Sequence, residues 1–386
     1  MSGRREVSGR ELLLVAAGAC LLAVVMHWPL ILNLGTDLPK DVGDPVTESW
    51  QVAWGGHALA HQPLHFFQAN QFWPVDDSLA YGDALIGYAP AGLIGSGPHD
   101  AVVRYDLLFL FAYVLAFFGA YVLARELGLG PAGAAMAGAA YAFAPFRLEH
   151  DGHMQVISSG GIPLCLALGV RGFRLRRPWW LFAAWLVAAW QLSLGFVLGL
   201  PLAYLLAGGV LAAAVIWWRR GRPGLDRRML AAGAAGFVVF VAVAGLIARP
   251  YFHVADENAE AKRPPSTIAA YSGPLAVFLT APEESFVWGE ATSSIREDLD
   301  NIPEKTLFPG LLILGLAIAG LRSASFDRRL RIGLCAAVVA ISVLALGFRE
   351  EGGLLWPYRM FYEVLPGWEA IRTPGRLVTF SSLALA

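Results

Sequence analysis

Charge is what this sequence has least of. Of its 386 residues only 15% are Asp, Glu, Lys or Arg, against 56% hydrophobic, and mean hydropathy is +0.54. A soluble globular chain carries roughly 25% charged residues. The shortfall excludes a soluble enzyme, and the apolar excess excludes a disordered or fibrous chain. Lysine is nearly absent, 3 against 26 arginines, and the net charge is −1. With no basic surface to offer, the chain has no nucleic-acid partner to expect. Cysteine is scarce as well. Cys20, Cys165 and Cys335 all fall inside apolar runs, and none is spaced for a disulfide framework or a metal site. No internal repeat or low-complexity tract is visible. What the sequence has in quantity is long apolar runs, and these imply a polytopic membrane protein. Arg in place of Lys, with abundant Ala and Gly, suits a GC-rich bacterial genome.

A helix needs about 20 apolar residues to cross the hydrocarbon core. Such runs fall at 12–34, 104–124, 131–147, 155–171, 178–197, 199–218, 229–249, 306–321 and 332–348. The expected fold is therefore all-α, a transmembrane bundle of about nine spans. A final stub, 377–386, is too short to cross and reads as a truncated tenth. The third run, built of Ala, Gly and Pro, must sit among other helices. The unbroken stretch from Trp179 to Trp218 predicts a tight hairpin turning near Gly195, Gly199 and Pro201. The first run is too long for a cleaved signal peptide and lacks a cleavage site after it, so it reads as a signal anchor.

Lys and Arg in short loops set orientation. With Arg4, Arg5 and Arg10 in the cytoplasm, seventeen of the 29 basic residues lie in cytoplasmic loops, including Arg125 and the clusters at 171–177, 219–228 and 322–331. Of 30 acids only Glu6, Glu11, Glu126, Asp226 and Asp327 fall on that side. This predicts a multi-pass protein of the bacterial plasma membrane, with a cytoplasmic N-terminus and its polar chemistry facing out. Residues 1–249 read as an N-terminal transmembrane module with a first outer loop at 35–103. An acidic outer loop follows at 250–305, and the C-terminal segment 306–386 carries a third outer stretch at 349–376.

The first outer loop opens DLPKDVGDPVTESWQVAWGGHALAHQ. Asp44-Pro45 predicts a helix start, with Asp44 as N-cap and Pro45 at the first helical position. Helical spacing puts Trp50, Trp54, His57 and His61 on one face, as in an amphipathic helix on a membrane surface. His57 and His61, at i and i+4, are spaced for a divalent cation but lack a third ligand nearby. Backbone N–H groups at a helix start lower the proton affinity of Asp44, so a base there needs a good leaving group. The loop continues FWPVDDSLAYGDALIGYAP, which carries Tyr81 and Asp83.

Between two spans, FRLEHDGHMQ crowds Arg147, Glu149, His150, Asp151, His153 and Gln155 together. The arrangement reads either as an ordinary polar loop with a snorkelling arginine or as a phosphate pocket with Arg147, His153 and Gln155 in it. Near the C-terminus, LPGWEAIRTPGR sets Arg372 and Arg376 four apart on the outer side. They need either outer carboxylates or a lipid phosphate as partners.

Taken together, GDPVTESWQVAW, FWP…LAYGD, YAFAPFRLEHDGHMQ, EKTLFPG and LPGWEAIRTPGR occur in the order found in a family of uncharacterised bacterial membrane proteins. That family resembles the C-type-fold glycosyltransferases, which use polyprenyl-phosphate sugars. The resemblance implies an Asp near the end of the first span acting as base on the acceptor in an inverting displacement. Asp44 occupies that place, and Asp83 stands where the resemblance leads one to expect a Glu. It implies a polyprenyl-phosphate sugar donor, membrane lipids and a glycan or lipid acceptor as partners, with no organic cofactor. Arg147, His153, Gln155, Arg372 and Arg376 would face the phosphate, and the aromatic first loop, with Trp50 and Tyr81, the sugar. The alternatives are a transporter or lipid flippase and a non-catalytic membrane protein.

Overall fold

The computed structural model describes residues 7–221, 224, 226–258, 261–322, 326–348 and 356–386; Arg4, Arg5, Glu6 and Arg222 lie outside them. Among the described residues the fold is all-helical, with no strand. The helices are α1 (Gly9–Met26), α2 (Asp44–His61), α3 (Gly97–Leu127), α4 (Pro131–Ala142), α5 (Pro145–Glu149), α6 (Met154–Ile157), α7 (Gly161–Leu175) and α8 (Pro178–Leu194). They continue with α9 (Phe196–Arg219), α10 (Arg227–Glu257), α11 (Pro265–Ala270), α12 (Ser293–Arg296), α13 (Leu311–Arg322), α14 (Arg328–Ala345), α15 (Pro357–Val364) and α16 (Val378–Leu385).

Among the described residues, five helical stretches are long and apolar enough to cross a membrane: α1, α3, Met154–Leu175, α9 and α10. Several of them leave their apolar surface uncovered. Only 11% of the most apolar window of α10 is buried inside the protein, and 22% of that of α9. Water would not tolerate so much bare Leu, Val and Phe. The helices thus fit a membrane-embedded protein whose outer faces meet lipid.

Several expected spans come out shorter. The first run ends as helix at Met26 rather than at residue 34, and Leu30–Leu32 form a separate 3₁₀ turn after Pro29, which has no N–H to extend the ladder. The Ala/Gly-rich third run gives only the 12 residues of α4, packed on α3 through Ala134, Ala137, Gly138 and Tyr141. Helices α8 and α13, of 17 and 12 residues, also fall short. The 18 residues of α14 begin with Arg328, Arg329 and Arg331. Such helices are not long and apolar throughout, so length and composition among the described residues show five spans and do not confirm nine. The hairpin turns at Gly195 alone, and both Gly199 and Pro201 sit inside α9. Pro201, the sixth residue of α9, has no N–H to give to the carbonyl four residues before it.

The centre of the bundle is α3, whose 31 residues give a rod about 46 Å long at ~1.5 Å per residue. Its inward face packs α1, α2, α4 and α7. A second core joins Phe146 and Val156 to Ile268, Val277, Leu307, Tyr358, Trp368 and Leu377. It brings the segments after α10 back onto α5 and α6. Helix α2 is tied down on one side. Val52, Gly55 and Gly56 press against residues 86–93, and a Cβ on Gly56 would sit 2.1 Å from the carbonyl carbon of Gly92. Only glycine allows that approach.

Candidate functional site

Asp44 is the first residue of α2, with Gly43 rather than Asp44 at the N-cap, and among the described residues the Asp44 side chain takes no backbone N–H. The expected cap is thus absent. The job next door goes to Asp41, whose Oδ1 accepts the Gly43 N–H at 2.7 Å. Left free, the Asp44 side chain is 61% exposed, and its Oδ2 lies 3.3 Å from His153 Nε2. Burial, with Arg376 and His150 nearby, pushes the His153 ring down to about 4. The ring is therefore neutral at neutral pH, and the contact joins an imidazole to a carboxylate rather than two ions.

One turn further along α2 stands Glu48, which is buried. Both its oxygens accept the backbone N–H of Met154, at 3.1 and 3.0 Å, and Oε2 also accepts the Tyr105 hydroxyl at 2.9 Å. Burial pushes its carboxyl up to about 8, although the Met154 and Tyr105 bonds pull the other way.

On the other side of His153, its ring centroid is 5.3 Å from that of His150. His150 Nε2 lies 3.2 Å from Glu304 Oε2, while its Nδ1 meets the Phe146 carbonyl at 2.9 Å. Glu304 in turn accepts Arg376 twice, from Nε at 3.0 Å and from Nη2 at 2.5 Å. Burial alone would raise the Glu304 carboxyl, but Arg376 and His150 outweigh it and hold it well below the usual carboxylate range. Arg376 is buried, and among the described residues its Nη1 has no protein acceptor. Lys40 closes the edge of the cluster, 2.8 Å from Glu284 and 3.6 Å from Glu149.

The candidate residues thus divide. Asp44, His153 and Arg376 belong to one cluster. Arg147 does not open toward it. Arg147 is fully buried, and its guanidinium donates to the Ala142 and Ile157 carbonyls and to Ser159 Oγ and stacks over Tyr113 and Tyr141. It fastens α4 to the start of α7. Asp83 accepts the Phe196 N–H at 2.6 Å and so caps α9 from outside that helix. Gln155 is half-buried, and its Oε1 has no partner. Arg372 is exposed, stacked 4.9 Å over Tyr271. Trp50 stacks on Trp54 at 6.3 Å and packs toward Leu79 and Val254. The series continues through His57 to His61, so the expected aromatic face exists. The Tyr81 hydroxyl accepts Asn258 Nδ2 at 2.8 Å. No group of three or more His, Cys, Asp or Glu suited to a metal stands together among the described residues. Two surface hollows, of about 620 and 370 Å³, lie elsewhere, beside Cys335 and beside Arg104.

Sequence reasoning missed Glu48, Tyr105 and Glu304 as members of this cluster. A signal for two of them existed: Glu48 lies within GDPVTESWQVAW, and Glu304 opens EKTLFPG. Four separated motifs, at 43–54, 141–155, 304–310 and 365–376, meet at one place. In comparisons with protein-family models, curated proteins and solved structures, nothing matches the chain.

Proposed function

We propose that this protein is a membrane glycosyltransferase. It transfers a sugar from a polyprenyl-phosphate donor to a glycan or lipid acceptor at the extracytoplasmic face of the bacterial plasma membrane. In this reading the N-terminus is cytoplasmic, and the shorter helices α4, α8, α13 and α14 complete a bundle of about nine spans. The observation that carries the reading is the state of Asp44. It is exposed, free of any capping bond, and in contact with a neutral histidine beside a buried arginine.

The chemistry follows from those groups. The acceptor hydroxyl gives its proton to Asp44 as its oxygen attacks the anomeric carbon from the face opposite the phosphate. The bond from that carbon to the phosphate oxygen breaks, and the phosphate leaves with the electron pair. Because the leaving group is good, a modest base suffices. Arg376 Nη1 stabilises the departing negative charge, and Trp50 and Trp54 offer a wall for the sugar ring.

Asp44→Asn tests this directly. The Asp44 side chain is exposed and does not cap the helix, so the isosteric amide leaves folding intact. In full-length protein assayed with polyprenyl-phosphate sugars, transfer should fall by about 10²–10⁴-fold, the usual worth of a general base. Undiminished transfer by Asp44→Asn removes the base. If Asp83→Asn is silent too, the non-catalytic reading takes its place.

A further inference from the structure

Glu48 is the strangest residue in the cluster. It is a buried carboxyl group, and no lysine, arginine or histidine forms an ion pair with it among the described residues. Ionised, such a group would be expensive to bury without a counter-ion, and burial accordingly favours its protonated form; a glutamine would hold a backbone N–H in the same place more cheaply. What Glu48 does is specific. It stands four residues after Asp44, hence on the same face of α2. It grips the N–H of Met154, the residue joined directly to His153.

His153 has little else to orient it. Its Nδ1 is buried without a partner, and its Nε2 touches only Asp44 among charged groups. The ring direction is therefore set by the backbone at 153–154 and by the neighbouring His150 ring. The Tyr105 hydroxyl, reaching across from α3, fixes Glu48 itself. The three-element linkage runs from α3 through Glu48 to the turn before α6.

We propose that Glu48 is a positioning residue, which holds His153 against Asp44 by fastening the backbone N–H of Met154 to helix α2. Its catalytic relevance rests on Asp44 being the base, but the positioning is testable without any transfer reaction. Full-length protein in detergent is treated with diethyl pyrocarbonate, and modification of each histidine is followed by peptide mass spectrometry. In wild-type protein His153 reacts slowly, because its ring is largely covered. Glu48→Ala releases the turn, and His153 modification should rise severalfold while His57 and His61 keep their rates. Glu48→Gln retains an oxygen for the Met154 N–H and should restore most of the protection.

Met154→Pro deletes the N–H donor at a helix position where proline is tolerated, but it also removes a fully buried core side chain, so it is read only where His150 stays protected. It should expose His153 in the same way with Glu48 intact. Global unfolding is recognised by modification of the fully buried His150, and the other variant then decides. A folded Glu48→Ala or Met154→Pro protein in which His153 reacts at the wild-type rate overturns the proposal. Where transfer is measurable, the folded variants should lower kcat and leave KM nearly unchanged. Absence of transfer in the wild-type protein defeats the glycosyltransferase reading and leaves the labelling result standing.

Discussion

The two ends of α3 treat their carboxylates in opposite ways. At its C-terminal end, Glu11 of α1 takes Arg125 Nε at 2.7 Å and the Tyr121 hydroxyl at 2.7 Å. Glu126 receives Arg171 at 2.9 Å and Arg174 at 2.7 Å. Asp226 and Asp327 cap α10 and α14. Toward the N-terminal half of α3, Glu48, Glu149, Asp151 and Glu304 gather with Asp44, and among the described residues the cations paired with these acids are Arg376 and Lys40. There, among the described residues, Glu149 Oε2, His153 Nδ1 and Gln155 Oε1 are buried without a hydrogen-bond partner, whereas the orphans at the other end, Arg171 Nε and Arg331 Nε, belong to arginines. Buried polar groups left unpaired are costly, and proteins keep them chiefly where a ligand completes them. The first end consists of staples between helices. The second is an incomplete network, and an incomplete network is where chemistry is to be sought.

The comparison can be broken at its ion pairs. After the loss of transfer in Asp44→Asn, the largest effect should come from Glu304→Gln, which strands the buried Arg376 charge. Removing one partner of such a pair costs about 3–5 kcal/mol. Glu126→Gln should cost less, about 1–3 kcal/mol, because Arg171 and Arg174 are 18% and 29% exposed and can be hydrated. Thermal unfolding in detergent ranks the two; the opposite order would show that the staples, not the cluster, carry the more desolvated charge.

The pH dependence should also differ by residue. Glu304 is held low by Arg376 and His150, so its contribution is present above the ordinary carboxylate range and is lost as pH falls. Glu48 is displaced the other way. Its folded value of about 8 lies above the unfolded one, so its contribution is full at low pH and is lost as pH rises from about 4.5 to 8. Glu48→Gln should therefore gain stability relative to wild type across that window. A difference that stays flat with pH would mean that Glu48 ionises as freely in the fold as out of it.

The smallest structural effect belongs to the test of sidedness. Asp76 and Gly221 are both exposed. Cysteine at Asp76 should react with an impermeant thiol reagent applied from outside, and cysteine at Gly221 should not, with no loss of folding in either. Reversed labelling would put the cluster in the cytoplasm and end the extracytoplasmic reading.

How much of this was legible beforehand can be judged residue by residue. The helical character, the long apolar stretches and the Trp50–Trp54–His57–His61 face were all legible, because each depends on local composition and on a period of 3.6 residues. Span lengths were less so. Hydropathy counts apolar residues, but where a helix stops is set by Pro29, by the turn at Gly195 or by the break between α4 and α5. Asp44-Pro45 looks like a cap in any single sequence, yet the helix begins one residue earlier than that motif predicts.

Sequence by itself determined that this chain is helical, that it is too apolar for water, and that its acids and arginines are segregated along the chain. Those properties follow from composition and from short-range periodicity. Only the tertiary structure decided which acid meets which base. Arg147 and Arg376 are both arginines among aromatic and polar neighbours, yet one is used up by carbonyls and Ser159 while the other meets Glu304 from 72 positions away. The partner of a long-range ion pair depends on helix packing across the whole bundle, and no local pattern in the chain encodes it.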